Sequence, residues 1–488
     1  MISSDRVPEP ADATHHDPAL PGLRPRSGGP ELASRGVGVI FPVGMLGGGF
    51  SRETVKRGIE LGADAIAVDG GSTDSGPYYL GTGMARTSEA AIRRDVQILL
   101  TAAREAGIPL IVTSCATAGI DAGVDWMAGI VESIARAERL TFTMATIYSE
   151  QSAASVLAAL DAGQITALPP AGSLPASTVR RCTHIVGLMG HEPIAAALDA
   201  GADVVLAGRA TDTASVAALA LRRGLPAGPA WHAAKTVECG GLCTTDPRSG
   251  GVYVQVDRTG FTVEPLAPHA SCTPATVAAH MLYENADPFR MREPSGTLDT
   301  SQATYTACDD RSVRVEGSQF EKASQATIKL EGSAVAGYET VSIVGIRDPH
   351  ILADISTWLD ILDGTINDHV QTLLGLDRSD YDTQLRAYGY NAVLGSLDPD
   401  RSTPREVGVL LKVRASDQAT ATAIAKIANP GLNHLPLPGM THMPSFAFAT
   451  SPAEIERGPV YEFVLNHTID ITSPDELFRT EFRQVTNA

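Results

Sequence analysis

The sequence predicts an α/β fold, with a layered, mostly parallel sheet in an N-terminal domain and a C-terminal α+β domain. Three observations lead there. From residue 36 to about residue 260, short β-branched runs alternate with helical stretches. Those runs are apolar throughout rather than alternating, as in strands covered on both faces. Beyond about residue 265, strand patterns follow one another through glycine-containing turns.

The elements follow in order. Residues 1–35 are proline-rich with no apolar core of a signal peptide, and read as a disordered leader. "VGVIF" (37–41) precedes the helical "SRETVKRGIELG", which Ser51 would cap. "AIAV" (65–68) follows, then the long helix pattern "SEAAIRRDVQILLTAAREAG". "PLIVTS" (109–114), "FTMATI" (142–147), "THIVGLM" (183–189) and "DVVLA" (203–207) continue the parallel series, joined by helices such as "DWMAGIVESIARAE" and "SAASVLAALDAG". In the second half, "SVRVEGSQF", "ATIKLEGS" and "YETVSIVGI" read as adjacent strands. "ILADISTWLDILDGTINDHVQTLLG" is a helix, "EVGVLLKVRA" a strand, and "DQATATAIAKIAN" a helix that "NPG" should stop. "PVYEFVLNHTIDI" is a late strand. The expected domains are 36–265, carrying a ligand site, 266–450, and a C-terminal strand and tail over 451–488.

Composition excludes some functions. A formal charge of -18 argues against a nucleic-acid partner, which needs clustered Lys and Arg, but leaves room for a small anion held by local positive charge. No stretch approaches the roughly 18 uncharged apolar residues of a membrane helix. Six thinly spread cysteines fit reduced thiols and a cytoplasmic location. A chain of this size is expected to self-associate. No G-x-S-x-G, P-loop, H-E-x-x-H or C-x-x-C occurs, which disfavours the commonest hydrolases, ATPases and zinc proteases.

The chemistry-bearing stretch is "AIAVDGGSTDSGPYYLG" (65–81). Gly70 and Gly71 let the chain turn at a strand end, Ser72 and Thr73 can cap or bind a ligand, and Asp69 and Asp74 supply carboxylates. An ordinary capped turn would use the same residues; Tyr78 and Tyr79 in a polar, glycine-flanked segment tilt the reading toward function. "RGIELGADAIAVDGGSTD" (57–74) and "AALDAGADVVLAGRATD" (196–212) share helix, Gly-Ala-Asp, strand and a turn ending Thr-Asp. Either two units are simply built alike, or two strand ends feed one crevice. The second copy adds Arg209, Thr211 and Asp212, where Arg suits bidentate grip of a carboxylate or phosphate. "FPVGMLGGGFS" (41–51) offers Gly48 and Gly49 to an anion, but its spacing is not that of a dinucleotide loop, so no nicotinamide is expected. "PAWHAAKTVECGGLCTT" (229–245) gathers His232, Lys235, Glu238, Cys239 and Cys243; Cys239 fits a nucleophile or a small buried hydrophobe, and the spacing lacks a second pair for zinc. "GIRDPH" contributes Arg347.

"ADAIAVDGGSTDSGPYYLGTG", "GIPLIVTSCATAGIDAGVDW", "GRATDTASVAALAL", "GPAWHAAKTVECG", "CTPATVAAHMLYENADPF", "GIRDP" and "GPVYEFVLNHTID" together resemble the acyclic terpene utilisation AtuA family, over nearly the whole chain from about residue 36. The resemblance implies a place in bacterial degradation of acyclic terpenes through CoA thioesters, and carries over no agreed catalytic residues. The expected function is a catabolic enzyme on a small carboxylate or acyl-CoA, of lyase, hydratase or isomerase type. In that reading Asp69 or Asp74 is the base, with His232, Glu238 and Cys239 as further catalytic candidates. Ser72, Thr73 and glycine amides would be the oxyanion donors, and Arg209 or Arg347 the carboxylate grip. The alternative is a non-catalytic acyl-CoA-binding or scaffold subunit, with a small partner subunit a further option. No metal-ligand set is assigned; a divalent metal on Asp69, Asp74 and Asp212 is allowed but not required.

Overall fold

The computed structural model describes residues 36–248, 250–400 and 402–486; the expected leader, residues 1–35, lies outside them. Strands are numbered in chain order: β1 Val37–Phe41, β2 Ala65–Asp69, β3 Leu110–Thr113, β4 Phe142–Tyr148, β5 Ile165–Ala167, β6 His184–Gly187, β7 Val204–Ala207, β8 Val252–Val256 and β9 Gly260–Pro265. The series continues with β10 Arg290–Glu293, β11 Gly296–Asp299, β12 Thr304–Ala307, β13 Val313–Glu316, β14 Gln319–Lys322 and β15 Thr327–Ile346. It ends with β16 Tyr381–Tyr388, β17 Val407–Ala415, β18 Ala447–Phe448, β19 Ile455–Asp470 and β20 Arg479–Val485.

The fold is mixed α/β, and the expectation of a mostly parallel sheet is corrected. The large sheet runs β12-β13-β9-β8-β1-β2-β3-β7-β4-β20. Only β1-β2-β3-β7-β4 pair in parallel, and every other neighbour in the sheet is antiparallel. The reason is connection length. The parallel strands are separated by helices such as Glu89–Ala106 and Asp121–Glu138, whereas β8 and β9 are joined by a tight turn that permits only an antiparallel return. β12, β13 and β20 come from beyond residue 265 and complete the same sheet.

The apolar runs are buried on both faces, as their composition implies. Ala65 and Ala67 of β2 join one core with Ile111, Val205 and helices Ala214–Arg222 and Ala227–Val237. Ile66 and Val68 join the opposite core with Val112, Met144 and the long helices, through Ile92, Val96, Met127 and Val131. A third core lies apart, where Trp358 and Leu362 of helix Ile355–Leu374 pack on Val409, Leu411 and Val413 of β17.

The second sheet, β16-β17-β15-β19-β5, overturns three local expectations. "ATIKLEGS" and "YETVSIVGI" are one continuous strand, β15, not two. Gly332 and Gly337 mark bulges in its pairing with β19 rather than a turn, which bends the strand without breaking it. "THIVGLM" forms β6, but β6 pairs antiparallel with β15 instead of extending the parallel series. Helix Gln418–His434 continues through Pro430 instead of stopping at "NPG". β15 therefore belongs to two cores, with Ile328 and Leu330 in the first and Val344 and Ile346 in the third. Among the described residues, no helix is long and apolar enough to cross a membrane.

Candidate functional site

β2, β3 and β7 are neighbours, so the loops after their carboxyl ends emerge side by side. Asp69, the last residue of β2, lies opposite Thr113 of β3, whose hydroxyl donates to Asp69 Oδ1 at 3.1 Å. The loop after β3 is strained: Ser114, Ala116 and Thr117 have φ of 47°, 55° and 79°. Left-handed backbone is costly for β-branched Thr117, and such residues gather where the surroundings fix them. Here the three loops interlock. Ser114 N donates to Gly208 O at 3.0 Å, Cys115 N to Ala207 O at 3.1 Å, and Arg209 N to Gly119 O at 3.2 Å. A Cβ on Gly119 would lie 2.1 Å from Arg209 N, and Gly119 has φ +66°, so only glycine fits this crossing.

On that platform sits a buried, acid-rich network. Arg209, 4% exposed, places Nη1 3.2 Å from Asp212 Oδ1 and Nε 3.3 Å from Glu331 Oε2. Glu331 also accepts from Thr73 Oγ1 at 2.7 Å and Lys329 Nζ at 2.7 Å. Burial alone would raise its pKa, but Arg209 and Lys329 outweigh burial and hold Glu331 below the usual carboxylate range. Asp69 behaves oppositely. Burial and the neighbouring Asp212 carboxylate raise it well above that range, against the opposing pull of Arg209.

The network extends to the end of helix Ala227–Val237, where Lys235 pairs with Glu238. Burial pushes Glu238 well up despite that partner, and burial with the Glu238 charge pushes the Cys239 thiol up. Glu293 at the end of β10 accepts from Thr213 Oγ1 at 2.8 Å, while its Oε2 has no partner. Among the described residues, Asp212 is the one carboxylate that acts electrostatically on all of Asp69, Arg209, Lys235, Glu238, Cys239 and Glu293. Beside the Arg209–Glu331 pair opens a cleft of about 410 Å³, with Thr73, Asp74, Lys329 and Glu331 on its polar wall and Pro170, Phe463 and Leu465 on its apolar one.

A model of the acyclic terpene utilisation family protein AtuA matches residues 86–456. The chain belongs to the acyclic terpene utilisation AtuA family. No curated protein and no solved structure matches it. In this AtuA family member the matched span takes in Arg209, Asp212, Lys235, Glu238, Glu293 and Glu331, while Asp69 to Tyr79 precede it.

The expected site residues of this AtuA family member divide into three groups. Asp69, Thr73, Arg209, Asp212, Glu238 and Cys239 enter the network just described. Asp74, exposed, is fixed at its rim by Ser72, whose hydroxyl donates to Asp74 Oδ2 at 2.7 Å. Gly70 donates its amide to Thr113 O at 2.7 Å, and Gly71 packs against Thr117. Thr211 Oγ1 lies 3.1 Å from Thr213 Oγ1. Tyr78 and Tyr79 stand next to the network on helix Pro77–Thr82, Tyr78 edge-on to Tyr461 at 6.0 Å beside a second cleft lined by Lys412 and Arg414.

The remaining residues lie elsewhere. The amides around Gly48 and Gly49 already have a carboxylate: Gly47 N and Gly49 N donate to buried Asp95 Oδ2 at 2.8 and 3.1 Å. Gly48 N closes a turn on Met45 O. The glycine loop is an anion nest filled by the chain itself. His232 is a core residue with both ring nitrogens occupied, 2.7 Å from Ser318 Oγ and 3.2 Å from Tyr305 OH; burial lowers its pKa to about 3. Arg347 lies past the far end of β15, 3.7 Å from Glu406, roughly 50 Å along the strand from Glu331.

Glu331, Glu293 and Lys235 complete the network without having been expected as site residues. In "TIKLE", alternation puts Ile328 and Leu330 on one face and Lys329 and Glu331 on the other, which reads as a solvated face until a loop covers it. Asp74, Asp212 and Glu284 bring carboxylate oxygens within 4.8 Å of one another; Asp69, grouped with the first two in the metal option, is not among them.

Glu293 yields a pH prediction. Burial, the largest cause, raises its pKa to about 8 from an ordinary 4.5. The folded state thus holds a proton that the unfolded state releases between those values, so stability is highest at the acid end of this window and falls as pH rises toward 8. Glu293→Gln removes the effect. Between pH 6 and 8, denaturant melts of the variant should show a shallower loss of stability, by up to about 1.4 kcal/mol per pH unit. An unchanged slope would mean that Glu293 is ionised in the folded chain.

Proposed function

We propose that this chain is a catabolic enzyme that moves a proton on a small carboxylate or acyl-CoA thioester, in a lyase, hydratase or isomerase reaction. One observation carries the reading: Asp69 at the end of β2 and Arg209 and Asp212 after β7 meet across β3, and Asp212 acts in turn on the buried Glu238, Glu293 and Lys235. Removing a proton beside a carbonyl needs a base whose proton affinity has been raised toward neutrality and a cation or donor set for the developing enolate. Asp69 is the first candidate base, because it is buried, raised and held by Thr113. Lys329, in the wall of the cleft, is the cation placed for an anionic group. The cleft volume suits a small acid or the reacting end of a thioester. Membership of the AtuA family supports acyclic terpene catabolism as the setting.

A thermal-shift screen tests this directly. Its panel holds CoA, branched acyl-CoA esters, branched dicarboxylates, divalent metals and NAD(P). A ligand at about 100 times its dissociation constant should add roughly 2.7 kcal/mol and move the melting midpoint by degrees. A shift with a thioester or dicarboxylate, followed by turnover of it, is the expected result. A shift without turnover would point to the binding-subunit alternative, and a shift with NAD(P) alone would sink both readings.

A further inference from the structure

We propose that Glu238, Cys239 and His280 form a divalent-metal site of the zinc class within the acid-rich network. Glu238 caps helix Ala227–Val237, Cys239 follows it, and His280 ends helix Pro274–His280. One donor atom from each lies within 4.8 Å of the other two. Glu238 and His280 are each 4% exposed. The second, independent observation is that His280 Nε2 is buried and has no hydrogen-bond partner. Leaving such a nitrogen unsatisfied costs roughly 1–3 kcal/mol, and native structures rarely accept this without a use for the atom.

The donor set selects the ion. A thiolate and an imidazole beside one carboxylate suit borderline Zn²⁺, whereas Mg²⁺ and Ca²⁺ take oxygen ligands. Three protein ligands leave a fourth position for water or substrate, as in catalytic rather than structural zinc sites. The supports are present: Tyr283 stacks on His280 at 5.7 Å between ring centroids, and Lys235 holds Glu238. Lys235 would repel a metal by itself, but the carboxylates of Asp212 and Glu284 act on the same groups and outnumber it. On binding, the Cys239 S–H bond breaks, its proton passes to solvent, and the sulfur lone pair forms the metal bond; no electron is transferred. Ligands from two distant helices leave no compact motif, which is why spacing alone argues against zinc.

The site shares Glu238 and Cys239 with the network of the proposed reaction, but its test reads binding, so the two readings can fail separately. The full chain, stripped with a chelator, is titrated with ZnCl₂ by calorimetry and with CoCl₂ by absorption. The expected result is one metal per chain, a thiolate-to-cobalt charge-transfer band, and protection of Cys239 from alkylation by bound zinc, all read on the unmodified chain. Cys239→Ser should abolish the band, and His280→Gln should weaken zinc by at least about 10-fold, with circular dichroism confirming the fold of each. Absence of saturable binding, or affinity unchanged in both variants, would overturn the proposal. So would loss of binding in His442→Ala instead, which would place the metal at the exposed cluster of Asp348, His350 and His442.

Discussion

Asp69→Asn is expected to leave the fold and ligand binding intact and to lower turnover by about 100- to 10,000-fold, the usual contribution of a positioned general base. Asp69 is 5% exposed, and burial with the adjacent Asp212 carboxylate keeps a proton on it well above the ordinary carboxylate range. Asparagine matches the neutral acid in shape and can still accept from Thr113 Oγ1, now 3.1 Å from Asp69 Oδ1. It cannot take a proton from substrate. The measurement is kcat on the ligand found by thermal shift, beside the melting midpoint of the variant. In the unmodified chain, the proposed activity should rise with pH through the raised Asp69 pKa, because only the deprotonated form is a base. Turnover within a factor of about ten of the parent would remove Asp69 from the mechanism and leave Glu238 as the next candidate.

Arg209→Met is expected to destabilise the chain by about 3–5 kcal/mol, the cost of leaving buried charges without their partner. Methionine keeps much of the side-chain volume, so the loss is mainly electrostatic. Arg209 lies between Glu331 and Asp212, its Nη1 also lies 3.4 Å from Ser114 Oγ, and its charge acts on Asp69. Without it, Glu331 keeps only Lys329 and Thr73. Adding Glu331→Gln should recover part of the loss, and a double-mutant cycle in urea melts measures how much. The acid side should change as well. Because the folded pKa of Glu331 is lowered, its stabilisation is present above the ordinary carboxylate pKa and is lost as pH falls; in Arg209→Met this dependence should nearly vanish. A loss below about 1 kcal/mol would mean that the surrounding carboxylates shed their charge by taking up protons.

Much of the local structure is legible without coordinates. The β2 and β7 runs are strands, and their repeated Gly-Ala-Asp and Thr-Asp frames put Asp69 and Arg209 to Asp212 at strand ends. The echo becomes spatial convergence because β3 alone separates β2 from β7, and Asp212 then acts on Asp69. Less legible was the fate of glycines. Gly332 and Gly337 look like turn residues, yet in a strand flanked by long partners they become bulges, since the pairing on both sides outweighs the local preference. The loop at Gly47 to Gly49 looks like an anion site and is one, but its anion is Asp95, more than forty residues away.

The sequence by itself determined the alternation of strand and helix, the strand-end position of Asp69 and Arg209, and membership of the AtuA family. These are properties of short windows, or of many windows in a fixed order, and burial on one or both faces writes itself into periodicity. Tertiary structure alone decided that β6 joins β15, that β20 closes on β4, that Glu331 and Asp212 share Arg209, that Asp212 acts on Glu293, and that His280 meets Cys239. The proton affinity of a carboxylate depends on the charges and solvent within a few ångströms of it. For Asp69 the charges of Asp212 and Arg209, and for Glu331 that of Arg209, come from more than one hundred residues along the chain, a distance that only folding removes.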